Sequence, residues 1–187
     1  MRFLAAGLAL LACLLSGPQA VQAKSWVIDY AHSQLGFKGQ QGDSPFTSFF
    51  KNFTATVDFD PDKPETGKIA ATIDIASSTA GSRQRDDWLP QADWFDIKRF
   101  PQATFASTAI RKTSDGYAAE GNLTLKGITR PLTLNFTLTP EGDHLRAKGS
   151  ANLTRTDFKI GEGDWANENY VKLPVTVTID LAAKPAQ

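Results

Sequence analysis

"YAAEGNLTLKGITRPLTLNFTL", residues 117–138, contains two runs in which apolar and other side chains alternate, joined by a short turn. Successive side chains of a β-strand point to opposite faces, so a period of two places the apolar ones on one face. That face comprises Tyr117, Ala119, Gly121, Leu123 and Leu125 in the first run and Leu132, Leu134, Phe136 and Leu138 in the second. Because so short a turn joins antiparallel neighbours, the stretch predicts a β-hairpin with one apolar face.

The same period of two recurs along the rest of the chain. Six further alternating runs cover residues 26–38, 53–59, 69–75, 103–109, 145–153 and 173–181. Gly, Pro and Asp stand between the runs in turns such as "SDG" and "PEGD", which suit tight hairpins. Eight antiparallel strands can form either a barrel or a two-sheet sandwich. Because a closed barrel leaves no exposed edge strand, we predict an all-β, eight-stranded antiparallel barrel.

Small residues are frequent on the predicted inward face. They are Ala55, Ala71, Ala103, Ser107, Ala109, Ala119, Gly121, Ala147, Gly149 and Ala151. A barrel of eight strands is at the size where the interior is either filled by side chains or holds one small ligand. The spacing alone fits a filled interior and a hollow one equally.

Two segments do not alternate. In residues 78–100, the stretches 83–89 and 92–97 predict short helices that Pro90 and Pro101 terminate. The aromatic "DWLPQADWF", residues 87–95, suits a plug over one barrel end, whether that barrel is hollow or solid. The second segment, residues 158–170, is rich in Gly and Asn, and connections this long in a compact domain are usually functional or mobile.

The first 23 residues read as a cleavable secretory signal peptide, with one early Arg, an apolar run and a small-x-small ending at Ala23. The mature domain is then 24–187. An uncleaved anchor is a competing interpretation, but the apolar run 3–15 is shorter than the roughly 20 residues that span a bilayer. A lipoprotein with lipid on Cys13 is the other. Cys13 is the only cysteine, so cleavage leaves no thiol for a disulfide, a metal or catalysis.

Charge and motifs offer little support for catalysis. Because 20 Lys and Arg balance 20 Asp and Glu, no strong field attracts nucleic acid, and we expect no nucleic-acid partner. The chain has no nucleophile elbow, and its two histidines, His32 and His144, lack metal-ligand spacing. We therefore predict a non-enzyme without metal or cofactor. An enzyme acting on a lipophilic substrate is the less favoured alternative, with His32, Arg155 and Asp157 as its candidates.

Four segments, in this order, resemble the YceI family of secreted bacterial proteins. They are "HSQLGF" (32–37), "RDDWLPQADWFDIKRFPQATF" (85–105), "YAAEGNLTLKGITRPLTL" (117–134) and "RTDFKIGEGDW" (155–165). The resemblance covers nearly all of residues 24–187. It implies a lipocalin-like barrel whose hydrophobic tunnel binds a polyisoprenoid or other long amphiphilic lipid in the periplasm, with no cofactor and no established catalytic residues.

The function that the resemblance implies is a periplasmic lipid carrier or reservoir, with a link to quinones or stress and transient membrane contact. The alternative is an interaction or stress-response module for a membrane electron-transfer partner. The oligomeric state is open, with a homodimer as one option. Expected ligand-binding residues are Phe37, Phe53, Trp88, Trp94, Phe95, Phe100, Phe105, Phe136, Phe158 and Trp165. We expect residues 83–100 to form a short helical, aromatic collar over one barrel end, with Arg83, Lys98 and Arg99 meeting the lipid head group.

Overall fold

The computed structural model describes residues 24–186, so the predicted signal peptide, residues 1–23 with Cys13, lies outside the described residues. Within that range the chain forms ten strands and one α-helix. The strands are β1 (Ser25–Gln41), β2 (Ser44–Phe50), β3 (Phe53–Asp58), β4 (Lys68–Asp74), β5 (Ser78–Thr79), β6 (Gln102–Thr113), β7 (Gly116–Leu125), β8 (Ile128–Glu141), β9 (His144–Thr154) and β10 (Pro174–Pro185). The helix is α1 (Arg83–Trp88). Four short 3₁₀ turns begin at Pro64, Ile75, Arg155 and Gly163.

Eight of these strands close into a ring. The order around it is β1, β10, β9, β8, β7, β6, β4 and β3, and each pair is antiparallel. The ring closes because β1 pairs with β10, as in Leu35 opposite Ile179, and also with β3, as in Trp26 opposite Val57. The predicted eight-stranded antiparallel barrel is confirmed. No helix in the described part of the chain is both long and apolar enough to cross a membrane.

Strands β2 and β5 were not predicted. The second half of β1, from Leu35 to Gln41, pairs with β2, and the short β5 adds to the far side of β2. Only residues 51–52 separate β2 from β3, so the two strands together follow β1 as one bent strand. Gly42 makes the β1–β2 turn possible because it has a φ of 56°, which glycine adopts without steric cost.

A β-bulge in β6 corrects one predicted face. Ser107 pairs with Gly121 and Ala109 pairs with Glu120, so Thr108 is an extra residue with no partner of its own. One extra residue moves every later side chain to the opposite face. Ala109, predicted to point inward, is therefore exposed, and Ile110 is buried in its place, at 2% exposure.

The predicted helix at 83–89 is confirmed in position by α1, but the second one, at 92–97, is wrong. That stretch is a series of turns whose backbone hydrogen bonds do not repeat at one spacing along the chain. The amide of Phe95 donates to the carbonyl of Leu89, and the amides of Trp94 and Asp96 both donate to Gln91. This tight coil buries the Trp94 and Phe95 side chains, to 7% and 6% exposure, which a regular helix at the surface would not do.

Candidate functional site

The barrel encloses a chamber with an apolar wall, which we call the barrel chamber. Its lining residues are Trp26, Ile28, Leu35, Phe53, Ala55, Val57, Phe59, Ile69, Ala71, Ile73, Phe105, Leu123, Leu132, Leu134, Phe136, Leu138, Leu145, Ala147, Ala151, Val177, Ile179, Leu181 and Ala183. These side chains leave a cavity of about 150 Å³ there. The interior is thus hollow rather than filled, which the sequence left undecided.

A second chamber, the collar chamber, lies behind the first. Its lining residues are Leu35, Phe37, Gly39, Phe46, Phe50, Ile73, Ile75, Leu89, Trp94, Phe95, Ala103, Leu123, Leu125, Leu153, Arg155, Ile160, Val171, Val175 and Val177. The cavity in the collar chamber has a volume of about 110 Å³. Residues from the start of β1 and the end of β10 line the barrel chamber, whereas residues from the end of β1 and the start of β10 line the collar chamber. The two chambers therefore follow one another along the barrel axis.

Small residues contribute to this space unequally. Ala55, Ala71 and Ala147 line the barrel chamber, as a hollow interior requires. Gly121 and Gly149 instead make room for neighbouring aromatic residues. A Cβ on Gly121 would lie 2.7 Å from the Phe105 ring, and one on Gly149 would lie 2.7 Å from Cβ of Phe136. At these two positions the missing side chain is thus replaced by a neighbouring phenylalanine and does not leave a void.

The collar, residues 83–100, closes the end of the collar chamber through Leu89, Trp94 and Phe95. The ring of Phe95 lies 6.0 Å from that of Phe37 and 6.5 Å from that of Phe50, both on the barrel wall. These contacts place the aromatic connection over one barrel end, as the sequence predicts. Helix α1 is held to the same end because Arg85 lies over the Phe46 ring, 5.0 Å from its centroid.

Arg155 is the one charged residue that lines a chamber, yet its guanidinium forms its hydrogen bonds within the protein. Its guanidinium donates to six main-chain carbonyls, those of Ile160, Gly161, Trp165, Asn167, Val171 and Lys172, at 2.5 to 3.2 Å. Burial lowers the pKa of Arg155 and Glu168 partly opposes that shift, but a guanidinium remains charged in a protein. Because a guanidinium has only five N–H donors, none is left for a ligand.

The collar is tied to the long connection 158–172 by a buried lysine. The ammonium of Lys126 donates to the carbonyls of Ala92 and Lys159 at 2.7 Å each and to the carboxylate of Glu162 at 3.1 Å. The amides of Gly161 and Glu162 also donate to the Asp93 carbonyl, at 2.7 and 2.9 Å. These bonds make the collar and the connection a single cover over the collar chamber.

The cover also contains one unsatisfied donor. Within residues 24–186, Nε1 of Trp94 is buried without a hydrogen-bond partner. An unpaired buried donor costs about 1–3 kcal/mol, which offsets part of the stability that burial of the Trp94 ring contributes.

Six of the ten predicted ligand-binding residues line the chambers: Phe37, Phe53, Trp94, Phe95, Phe105 and Phe136. The other four do not. Trp88 and Trp165 pack against each other with centroids 4.7 Å apart and ring planes tilted by 51°, and Phe158 packs in the core at 2% exposure. Phe100 packs against the β7–β8 turn, where a Cβ on Gly127 would lie 2.7 Å from its ring. Whether any of the ten contacts a lipid stays a prediction.

Neither the predicted head-group cations nor the enzyme candidates form a site at the chambers. Arg83, Lys98 and Arg99 are exposed and line neither chamber, and Arg99 pairs with Asp96 on its own turn. The imidazole of His32 is 73% exposed and lies 2.8 Å from the carboxylate of Asp29, on the outside of β1. Asp157 is exposed as well, so the residues proposed for catalysis share no cavity.

The predicted ligand-binding residues are all aromatic, so they omit the aliphatic residues that form much of the chamber walls. Leu35, Ile73, Leu123 and Val177 line both chambers, and all are aliphatic. Phe46 and Phe50 were missed with strand β2, although their spacing of four fits one face of a strand. The rings of Phe46 and Phe50 lie 6.3 and 5.7 Å from that of Phe37.

Fold and interior together define the class: a closed eight-stranded β-barrel with unfilled apolar chambers under an aromatic cover. The chain belongs to the YceI family, since the YceI-like domain matches residues 26–183. The Protein YceI of Salmonella arizonae is 37% identical over 136 residues, 71% of each chain. A UPF0312 protein of Photorhabdus laumondii is 33% identical over 172 residues, 87% of this chain and 90% of its own. The predicted family is confirmed.

Solved structures show the same fold. BcnA of Burkholderia cenocepacia superposes with a TM-score of 0.81 at 34% identity, covering 84% of this chain and 100% of its own. A polyisoprenoid binding domain from Saccharophagus degradans superposes with a TM-score of 0.65 over 88% of this chain and 99% of its own. At 15% identity, the second likeness concerns the fold alone.

Proposed function

We propose that the protein binds a long-chain isoprenoid or similar amphiphilic lipid inside the barrel. The observation that carries the proposal is the pair of apolar chambers in line along the barrel axis. A charged ligand would find no free partner there, because the one charged wall residue, Arg155, spends every donor on main-chain carbonyls, and the one unpaired buried side-chain donor of residues 24–186 is the neutral Nε1 of Trp94. The polyisoprenoid binding of the Saccharophagus degradans domain, which has the same fold, supports the choice of lipid.

The energetics favour exchange with a membrane over capture from water. Burying a chain of forty carbons from water, at about 0.8 kcal/mol per CH₂, would contribute roughly 30 kcal/mol, which exceeds the limit seen for non-covalent binding. A bilayer is as apolar as the chamber walls, so transfer between them is close to balanced. This balance suits a reversible carrier or reservoir that touches a membrane transiently.

The location that fits this function is the periplasm. The secretory features of residues 1–23 and the secreted character of the family support it. Binding rather than catalysis is proposed, because His32 and Asp157 are exposed and Arg155 alone of the three candidates lines a chamber.

Native mass spectrometry of the protein secreted from its own organism tests lipid and location together. We expect a chain that starts at Lys24 and carries the added mass of one long lipid, which solvent extraction then identifies. Protein that arrives empty, and stays empty after incubation with liposomes containing the long prenol solanesol, would contradict the binding proposal. A chain that retains residues 1–23 would contradict the periplasmic one.

The cover should control how fast the lipid leaves. In a Lys126→Met variant, the carbonyls of Ala92 and Lys159 lose their shared donor, which makes opening easier by about 1–3 kcal/mol. We expect a fluorescent prenol, anthraniloyl-labelled geranylgeraniol, to leave the variant roughly tenfold faster. The rate is measured by stopped flow against acceptor liposomes.

Lys112→Met is the matched control, because Lys112 lies on β6 away from the collar and is exposed. Its release rate should equal that of the wild type. Equal rates in the Lys126→Met and Lys112→Met variants would show that the lipid leaves by a route other than the cover.

A further inference from the structure

The backbone pairing of β1 is interrupted along one side of the strand. The β1–β3 ladder ends at the pair Trp26–Val57, and the β1–β2 ladder begins only at the pair Leu35–Phe50. Residues 27–34 of β1 therefore have no strand partner on that side. We call this interval the seam. Along the seam, the barrel wall is closed by side chains and not by a ladder of backbone hydrogen bonds.

The side chain of Tyr30 crosses the seam. Its hydroxyl accepts a hydrogen bond from the amide of Ala55 at 3.1 Å, and its ring meets that of Phe53 edge-on with centroids 5.4 Å apart. Ala55 and Phe53 line the barrel chamber from β3, and Ile28 lines it from β1. Tyr30 itself is exposed, and exposed side chains change rotamer within nanoseconds. A movable ring thus lies between this part of the chamber and the surface.

The outer surface along the seam is apolar. Val27, Tyr30 and Phe49 are three of the four large hydrophobic residues that are exposed within residues 24–186. Val27 precedes the inward Ile28, and Phe49 of β2 lies beside Gly36 of β1, so the three residues follow the outside of β1. We call them the seam face. Apolar side chains exposed together on one face are typical of an interaction site.

The charges around the seam face favour a negatively charged partner. Strands β1, β2 and β3 carry only two carboxylates, Asp29 and Asp58, and both are half-buried and hydrogen-bonded to neighbouring side chains. Lys38 on β1, Lys51 between β2 and β3, and Lys68 on β4 are exposed and form no ion pair within residues 24–186. Exposed lysines beside an apolar surface attract anionic lipid head groups.

We propose that the seam is a side entrance to the barrel chamber, and that the seam face rests on an anionic bilayer while a lipid passes Tyr30. The proposal rests on the lipid binding proposed above and adds the surface that meets the membrane. A bilayer is the partner that this entrance requires, because a lipid that left the chamber into water would expose its whole apolar tail. The cover remains a second opening, and the rates of transfer through the two openings add.

An interruption between β8 and β9 has a different outer surface. The ladder of these strands ends at the pair Asn135–Ser150, although β9 continues to Thr154. The exposed outer residues there, Thr133 and Asn152, are polar. Polar side chains lose hydrogen bonds to water when they enter a bilayer, so this surface does not suit membrane contact. Asn152 therefore provides a control position.

Insertion of a charge tests the docking surface. Val27→Asp and Phe49→Asp each place a carboxylate on the seam face, whereas Asn152→Asp places one beside the other interruption and still accepts the hydrogen bond from Thr176. Binding is measured by flotation with vesicles of phosphatidylcholine and phosphatidylglycerol that contain no prenol. We expect the first two variants to lose about tenfold or more in vesicle affinity, and Asn152→Asp to bind as the wild type does.

Tyr30→Phe tests the entrance. The variant keeps the ring and therefore the seam face, but the Ala55 amide loses its acceptor, so the seam opens more easily. We expect solanesol to pass from the variant to the same vesicles about fivefold faster, with vesicle binding unchanged. In Val27→Asp and Phe49→Asp the transfer should be slower. The amount of solanesol bound at equilibrium should stay that of the wild type, because neither side chain lines a chamber.

Unchanged transfer in Tyr30→Phe would overturn the side entrance. Vesicle binding that survives both Val27→Asp and Phe49→Asp would overturn the docking surface, as would binding that is lost only in Tyr170→Ser, at the exposed hydrophobic residue of the 158–172 connection. Circular dichroism checks that each variant folds, and the second aspartate variant keeps the test valid if the first does not fold. These outcomes leave the proposed lipid binding intact, whereas wild-type protein that takes up no solanesol would overturn the proposed function itself.

Discussion

An Arg155→Met variant is expected to lose about 3–5 kcal/mol of unfolding free energy and the order of its 158–172 connection. The guanidinium supplies the hydrogen bonds of six carbonyls, and methionine fills similar space with no donor. A buried carbonyl that loses its partner costs about 1–3 kcal/mol, and part of the cost at the six carbonyls is relieved when the connection opens to water, which leaves the expected loss of about 3–5 kcal/mol. Urea denaturation measures the first effect, and hydrogen exchange of the amides in residues 158–172 measures the second.

Arg111→Met is the control for the loss of a guanidinium. Arg111 is 60% exposed and pairs with Glu120, an arrangement that contributes at most about 1 kcal/mol. Arg155→Lys should fall close to Arg155→Met, because an ammonium has three donors where the guanidinium has five. Slow hydrogen exchange in residues 158–172 of Arg155→Met would mean that the connection holds its shape without the guanidinium.

Filling the barrel chamber should abolish lipid binding without unfolding the protein. Ala71 of β4 lines this chamber and pairs with Ala55 and Phe105 on its two sides. In an Ala71→Trp variant the indole takes up space that a ligand would use. We expect prenol affinity to fall at least a hundredfold, roughly 3 kcal/mol, with little change in melting temperature. Solanesol binding from liposomes measures the loss.

The neighbouring Ala70 provides the control. It lies on the same strand, its side chain points outward, and it is exposed. Ala70→Trp adds the same indole to the outer surface and should bind solanesol as the wild type does. Equal binding by the Ala71→Trp and Ala70→Trp variants would place the ligand outside the barrel chamber.

The barrel was predictable because its strands alternate cleanly and its turns are short. β2 was not predicted because only two residues separate it from β1 and two from β3, so that "SPFTSFF" reads as part of a connection. The bulge at Thr108 was not predictable, since one unpaired residue leaves the local alternation of apolar side chains looking intact on either side. The turns at 92–97 were misread as a helix because burial of Trp94 and Phe95, rather than local propensity, decides their course.

The site was predicted only in part, for a physical reason. Aromatic residues stand out in a sequence, and Phe37, Phe95 and Phe136 do line the chambers. Trp88 and Trp165 are equally aromatic but pack against each other and line neither chamber. Most of the wall is Leu, Ile, Val and Ala, whose presence on an inward face is typical of any core. Only coordinates distinguish an aliphatic side chain that borders a void from one that fills it.

Arg155 holds the backbone of the 158–172 connection in a way that leaves room for redesign of its side chains. Its six partners are main-chain oxygens, so the bonds depend on the path of the backbone and not on which side chains that backbone carries. The exposed residues Ala166 and Asn169 can therefore be exchanged widely. Asn167 and Glu168 are exposed too, but their side chains accept from the amides of Asn169 and Leu173 and help to keep the path. Because Arg155 fixes the backbone of this connection while some of its exposed side chains can change, the connection is a suitable place to graft new recognition sequences beside the collar.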